Sequence, residues 1–212
     1  MSRTSVKRTR LNTVSAKNLA EVQVHLLNVV SSQRFLKNEG LNNEVPFHIC
    51  PFEPDISHDI LQVIKQLKNE LVDKGVRVLE VNLYDLVIEI LKEEGDWQWL
   101  LENETGVSRE ELKNELQGIL DTETVLIPAI VKKMKSASYD VTFITGVGEV
   151  FPYIRSHNIL NNLQRVAKEQ PTLMFFPGRY EHSLSSGASL RLFDRLTDDK
   201  YYRAFNILDR AN

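Results

Sequence analysis

The chain has 212 residues, of which 42% are hydrophobic, and this is enough for one domain with a sizeable core. Its formal net charge of −3 argues against a protein that binds nucleic acid over its whole surface, although a local basic patch stays open. The single cysteine, Cys50, has no internal disulfide partner and is expected to be a small buried apolar residue. No apolar stretch approaches the roughly 20 residues that span a bilayer, so the sequence predicts a cytoplasmic protein without a membrane anchor.

Residues 1–14 are predicted to form a flexible basic tail. Four of the first ten residues are basic and most of the others are Ser or Thr, a composition that cannot bury a core. The alternative to a solvated terminus is an electrostatic contact with nucleic acid or with an acidic partner. The rest of the chain, residues 15–212, is predicted to be a single α/β domain.

The N-terminal part of this domain predicts a helix, a strand and a second helix. The first helix is expected over residues 15–36, with Ser15 as its N-cap. Residues 47–50 are an apolar run between two prolines, which indicates a short strand. The next helix has apolar residues at helical spacing, and either Asp55 or Ser57 can cap it.

The middle of the chain begins with a second strand, at residues 76–83, which would complete a right-handed βαβ unit. A helix follows and is expected to end at Gly95. Residues 96–137 are acidic in their first part and predict a helical insertion, in which Ser108 begins a capping box. The last helix of the insertion is expected to be interrupted at Pro128.

The most informative stretch runs from Asp140 to Gln164. Residues 141–144 contain no charge and are β-branched or aromatic, as in a strand that is buried on both faces of a parallel sheet. Gly146 and Gly148 then predict a turn, and Pro152 is expected in the first turn of the following helix.

That helix is predicted to be amphipathic, with one face rich in asparagine. The apolar arc consists of Ile159, Leu160, Leu163, Val166 and Ala167. The polar arc consists of Arg155, Asn158, Asn161, Asn162 and Arg165. Asparagine lowers helix propensity, so its repeated use favours a docking face beside a strand end. The alternative is that the asparagine side chains tie down neighbouring loops.

The C-terminal part predicts one more buried strand and less regular structure after it. Residues 172–176 are expected to form the strand, and Pro177-Gly178 is expected to form a turn after it. Residues 181–188 are then predicted to be a mobile loop, and residues 190–193 are predicted to be an edge strand. The last element, residues 197–207, could be a helix or a strand. Together these patterns predict an α/β fold with a mainly parallel central sheet flanked by helices, with strands near residues 47, 76, 141 and 171.

Three blocks of sequence in this half are distinctive. They are TGVGEVFPYIRSHNILNNLQ from Thr145, PTLMFFPGRY from Pro171 and DDKYYRAF from Asp198. These blocks and their spacing resemble the BrxB family, a component of bacterial BREX (bacteriophage exclusion) systems, and weaker similarity extends over roughly residues 20–208. The resemblance implies a role in phage defence alongside PglZ-type, BrxC-type and methyltransferase partners. It transfers no catalytic residue.

The turn at Gly146 and Gly148 invites comparison with phosphate-binding loops, because amides at a helix start bind anions. The spacing does not fit, because the GK[ST] ending and the third Rossmann glycine are missing and Glu149 would place a carboxylate where the phosphate should lie. We therefore expect no cofactor. The sheet could still resemble that of a P-loop ATPase that lacks the phosphate loop.

Neither a metal site nor a catalytic site is predicted. The five histidines show no metal-ligand spacing. His48 and His58 flank the first strand and could approach Asp55, but a lone strand histidine is more often a satisfied polar group than a base. Ser156 and His157 are adjacent in a helix and point in different directions, so they form no local nucleophile and base pair. A triad assembled from distant residues stays open.

The last third of the chain is rich in arginine and tyrosine, which are enriched at protein interfaces. The same residues can stack nucleobases and bind phosphates. We therefore predict a non-enzymatic BREX component that binds and assembles other subunits: a PglZ-type subunit first, or else the BrxC-type ATPase or the methyltransferase. The alternative is a nucleotide- or DNA-binding module or a cryptic enzyme of the same complex. The predicted contact residues are Gly146, Gly148, Arg155, His157, Asn158, Asn161, Asn162, Arg179, Tyr201, Tyr202 and Arg203.

Overall fold

The computed structural model describes residues 12–39, 46–183, 187–198 and 204–210, which form a central sheet with helices on both faces. The helices are α1 (Leu19–Val30), α2 (Gln33–Leu36), α3 (Ser57–Asp73), α4 (Leu83–Glu94), α5 (Asp96–Asn103), α6 (Arg109–Ile119), α7 (Ile127–Ser136) and α8 (Ser156–Val166). The strands are β1 (Phe47–Phe52), β2 (Val78–Asn82), β3 (Val141–Thr145), β4 (Thr172–Ser183), β5 (Gly187–Leu192), β6 (Leu196–Asp198) and β7 (Phe205–Asn206).

The central strands are parallel and lie in the order β2-β3-β4-β1-β7. The predicted α/β fold with a mainly parallel sheet is therefore confirmed. Strand β3 lies between β2 and β4 and is buried along its whole length, as its uncharged sequence predicts. Strands β1 and β2, which α3 connects, are not paired with each other, because β3 and β4 lie between them in the sheet.

Strand β4 changes partners halfway along, which the sequence did not predict. Its first half pairs with β1, and from Gly178 onwards it pairs antiparallel with β5. The predicted turn at Pro177-Gly178 is wrong because the strand continues through it. Gly178 has φ 147°, and a Cβ there would lie 2.0 Å from the Arg191 carbonyl oxygen, so only glycine allows this close approach.

The antiparallel part is a hairpin where a mobile loop (181–188) and an edge strand were expected; residues 184–186 of the expected loop lie outside the described residues. Strand β5 pairs on one side with β4 and on the other with β6, so it is not an edge strand. Phe193 follows β5 in a turn with φ 53°. The last predicted element lies partly outside the described residues; what is described of it is β6, β7 and a 3₁₀ turn at Ile207–Asp209.

Alternate side chains of the central strands enter two separate cores. In β1, Phe47 and Ile49 face one core, whereas Cys50 and Phe52 face the other. The first core lies under α4, α6, α7 and α8, and the second lies under α1 and α3. This period of two is what a strand covered on both faces requires.

Several helix starts differ from the predictions. Helix α1 begins after Asn18 and not at Ser15, and Ser32 begins a separate helix, α2. Neither predicted cap serves α3, because it continues directly from a 3₁₀ turn at Pro54–Ile56. The Ser57 hydroxyl instead donates to the Pro54 carbonyl over 2.6 Å.

Other boundaries follow the sequence closely. Gly95 ends α4, and Ser108 caps α6 with the reciprocal Glu111 bond of a capping box. Pro128 lies in the first turn of α7 rather than interrupting a helix, because a π-helical turn at Thr122–Leu126 precedes it. Among the described residues, no helix is both long and apolar enough to cross a membrane.

Candidate functional site

The turn after β3 packs tightly against the start of α4. The Asn82 side chain accepts bonds from the Tyr84 and Asp85 amides at 2.9 and 3.2 Å and so caps α4. Gly146 has φ 72°, and a Cβ there would lie 2.5 Å from Asn82 Oδ1. Glycine is therefore required at position 146 for two reasons: the backbone has a positive φ, and the Asn82 side chain leaves no room for a Cβ.

Gly148 makes a second close approach, at the middle of β4 where that strand changes partners. A Cβ at this position would lie 3.0 Å from the Phe193 ring and 3.0 Å from Pro177. The two glycines thus place the turn after β3 against the end of β2 on one side and against the middle of β4 on the other. The amides at the start of α4 already bind Asn82, and α8 begins only at Ser156, so this turn has no phosphate-loop geometry.

Residues 147–155 form turns, and the predicted helix start at Pro152 is wrong. Arg155 has an extended backbone, with φ −105° and ψ 130°, and α8 begins after it. The reason is that Val147, Val150 and Ile154 are all buried in the core, so the chain stays irregular to deliver them there. The Pro152 carbonyl accepts a bond from the Gln117 side chain of α6 at 3.2 Å.

Helix α8 buries most of its predicted apolar arc. Ile159, Leu160 and Leu163 are fully buried, but Val166 is 52% exposed because it is the last residue of the helix and lies at the rim of an open groove. His157 is only 4% exposed. It therefore faces the interior and offers almost no surface to a partner.

The polar arc of α8 is half-exposed, and its asparagines differ. The Asn162 amide donates to the Asn158 carbonyl of its own helix at 2.9 Å, and Arg165 reaches Asn162 at 3.5 Å. The side chains of Asn158 and Asn161 form no hydrogen bond with any residue that the structure describes. Among the described residues, therefore, nothing supports the alternative in which these side chains hold neighbouring loops.

Aromatic side chains lie close to Arg155, at the start of this arc. The Phe151 ring contacts the Phe193 ring edge-to-face at 6.1 Å. Arg155 and Leu196, which is 43% exposed, line the same small cavity of about 80 Å³. Burial raises the pKa of Tyr153, and the nearby Tyr84 and Glu149 add to the increase.

These groups form one continuous surface next to the carboxyl ends of β2 and β3. We call it the carboxyl-edge surface and define it by Tyr84, Phe151, Tyr153, Arg155, Asn158 and Leu196. Sequence reasoning found Arg155 and Asn158. It missed Tyr84, Phe151, Tyr153 and Leu196, because no local pattern in the sequence distinguishes an aromatic or apolar residue at a surface from one in the core.

The other predicted contact residues lie elsewhere. Arg179 is in the hairpin, pairs with Asp194 at 3.2 Å and lines a separate groove of about 670 Å³ with Arg210. Tyr201, Tyr202 and Arg203 lie outside the described residues.

The histidine and cysteine side chains form no metal site in the part of the chain that is described. No cluster of three or more His, Cys, Asp and Glu side chains there could hold a metal ion. His48 lies within β1 and not beside it, and burial lowers its pKa to about 3. Burial raises the pKa of Cys50 to about 12, as expected for an inert core thiol.

Comparison with known proteins gives the same family as the three distinctive sequence blocks. A family model described as BREX protein BrxB matches residues 79–207. A BREX protein BrxB of Bacillus cereus (strain H3081.97) is 34% identical over 192 residues, which cover 87% of this chain and 95% of that protein. A BREX protein BrxB of Escherichia coli O9:H4 (strain HS) is 31% identical over 179 residues, which cover 84% of this chain and 86% of that protein.

No solved structure matches the chain significantly, so a resemblance to the core of P-loop ATPases has no support. The family match is different in kind, because it extends over most of the chain and includes the turn, α8 and the carboxyl-edge surface. The chain belongs to the BrxB family of BREX proteins, which implies a role in BREX defence.

Proposed function

We propose that this chain acts by binding rather than by catalysis, and that its carboxyl-edge surface docks another BREX protein. The observation that carries the proposal is Asn158 on this surface, together with Asn161 one turn further along α8: both side chains are half-buried and form no hydrogen bond with any described residue. Their polar atoms still reach solvent, so a partner can bond to them without first breaking a hydrogen bond to another described residue.

The neighbouring side chains support the same interpretation. Tyrosine and arginine are enriched where proteins bind each other, because they combine a large contact area with hydrogen bonding. Tyr84 is 43% exposed, and Leu196 adds an exposed apolar group beside Arg155. The glycine contacts fix the turn beneath them, so the surface is formed before a partner arrives.

The family match makes other BREX proteins the plausible partners. Among them we propose a PglZ-type subunit as the direct partner. The BrxC-type ATPase and the methyltransferase are the competing candidates, and the experiment below distinguishes all three.

The test is a pull-down of the tagged chain from cells that express the whole BREX operon. Arg155→Glu/Asn158→Arg reverses one charge and adds a large cation at the carboxyl-edge surface. The matched control, Lys65→Glu/Asn69→Arg, makes the same chemical changes at exposed positions of α3, on the other face of the sheet. Circular dichroism and Tm first establish that both variants are folded.

We expect the surface variant to lose the PglZ-type subunit while the control retains it. Loss of the ATPase or the methyltransferase alone would keep the surface as a docking site and change the partner. Unchanged partners for both variants would refute the docking role of the carboxyl-edge surface. If phage protection were lost in that case, the surface would be a ligand site.

A further inference from the structure

A second surface lies at the opposite edge of the sheet, where β2, β3 and β4 begin. The segments before these strands and the ends of four helices enclose an open groove of about 1020 Å³. Each of those helix ends contributes one lysine. We call this the lysine groove and define it by Lys37 after α2, Lys74 after α3, Lys135 in α7 and Lys168 after α8.

The groove carries positive charge although the chain as a whole carries a formal net charge of −3. Its lining holds these lysines and Arg77, against only Asp140 and Glu169, which leaves an excess of three positive charges. Arg77 and Asp140 neutralise each other in an ion pair of 2.7 Å. The four lysines form no ion pair with any residue that the structure describes. Their charge is therefore available to a ligand.

Helix dipoles give the simplest alternative explanation of these lysines. The last carbonyls of a helix carry partial negative charge, and lysine is common there for that reason. In that role the ammonium group would donate to those carbonyls, but none of the four ammonium groups donates to a described residue; at Lys37 and Lys74 it is the backbone amide that bonds to the helix carbonyls. The dipole field also fades within the last turn, so a ligand that lies across the side-chain ends meets the ammonium groups first.

The rest of the lining suits a chain of phosphates. Gln33, Gln170 and Ser31 add neutral groups that can hydrogen-bond phosphate oxygens, and Tyr139 adds a half-buried aromatic ring. Cations spaced along a groove with an aromatic ring in it are typical of surfaces that follow a nucleic-acid backbone. We propose that the lysine groove binds the phosphodiester backbone of a nucleic acid without reading its sequence.

The test uses the purified full chain and fluorescence anisotropy. The probes are a labelled single strand of about 30 nucleotides and the matching duplex, titrated between about 25 and 300 mM salt. The variant Lys135→Glu/Lys168→Glu is compared with Lys17→Glu/Lys65→Glu, which changes the net charge equally at exposed lysines outside the groove. Both probes have the same phosphodiester backbone, so a comparison of their affinities shows whether the groove prefers single-stranded or double-stranded nucleic acid.

We expect the wild type to bind at least one probe, with an affinity that falls steeply as salt rises. The groove variant should bind between about 10-fold and 100-fold more weakly at about 50 mM salt, with a shallower salt dependence. The control should stay within about 2-fold of the wild type.

Three results would overturn the proposal. One is the absence of binding to both probes at low salt, and another is an equal loss of affinity in the groove variant and the control. The third is binding of a labelled poly-glutamate peptide, but not of nucleic acid, that the groove variant loses. That last result would assign the groove to an acidic protein segment.

Discussion

The buried His48 should make the folded state less stable at mildly acidic pH, because only the unfolded chain binds a proton there. The imidazole is fully buried in β1, with the Phe35 ring at 4.8 Å and the Phe205 ring at 5.8 Å. Burial lowers its pKa from 6.5 to about 3, and the Arg210 charge adds to the decrease. The unfolded chain therefore takes up this proton first as the pH falls.

The sign and size of the effect follow from that difference. The contribution to stability is complete above pH 6.5, the unfolded value, and it is lost as the pH falls towards the folded value of about 3. The total loss is about 5 kcal/mol, of which about 2 kcal/mol appears between pH 7.5 and 5.0. Carboxylates with lowered pKa, such as Asp140 and Glu111, lose their contributions only at lower pH.

The assay is urea unfolding followed by circular dichroism at pH 7.5 and 5.0, for the wild type and for His48→Leu. Leucine has a similar volume and cannot titrate, so the variant should lose about 2 kcal/mol less than the wild type over this interval. Equal losses in the two proteins would refute the reasoning, because they would mean that His48 already binds a proton in the folded state or is reached by water.

Further predictions concern a turn, a helix cap and a buried hydrogen bond of the fold, and the free energy of unfolding from urea titrations checks each of them. Gly146→Ala should destabilise the fold by about 1–3 kcal/mol because its Cβ meets the α4 cap, whereas Gly118→Ala, inside α6 with open space around it, should be neutral or stabilise by up to about 1 kcal/mol. Similar effects of the two changes would contradict the steric argument. Ser108→Ala removes the capping box of α6 and should cost about 1 kcal/mol, with a rise in the pKa of its partner carboxyl that NMR titration detects. Tyr180→Phe removes the buried 2.6 Å bond to the Ala204 carbonyl and should cost about 1–2 kcal/mol; no loss would mean that water satisfies that carbonyl.

The sheet was predictable because its strands are defined by local composition. A strand covered on both faces carries no charged side chain, and Val141–Thr145 has none and is buried along its whole length. The capping box at Ser108 was predictable for a similar reason, since both of its bonds join residues three positions apart.

The misplaced boundaries depend on contacts between distant residues. Pro177-Gly178 has the sequence of a turn, but β5 pairs with the following residues and the Arg191 carbonyl lies where a side chain would be. Pro152 suits a helix start, but burial of Val150 and Ile154 keeps the chain irregular until Ser156. No local pattern contains this information.

The candidate site was only half predictable for the same reason. The asparagine-rich face of α8 is visible in sequence because a helix repeats every 3.6 residues or so. Leu196 joins Arg155 only because the hairpin folds back onto the end of β3. The residues of this surface come from segments that are far apart in the sequence, so the spacing of residues within one segment cannot reveal the whole surface.

The parallel sheet separates the two proposed surfaces, and this makes them independently testable. In a parallel α/β unit each helix begins near the carboxyl edge and returns to the amino edge, so helix C-termini and their lysines gather opposite to the strand ends that hold Arg155 and Asn158. Charges on exposed opposite edges are screened from each other at physiological salt. Arg155→Glu/Asn158→Arg should therefore leave nucleic-acid binding unchanged, and Lys135→Glu/Lys168→Glu should retain the protein partner. If either variant lost both activities while remaining folded, the two edges would belong to one continuous interface, and the separate assignments would be wrong.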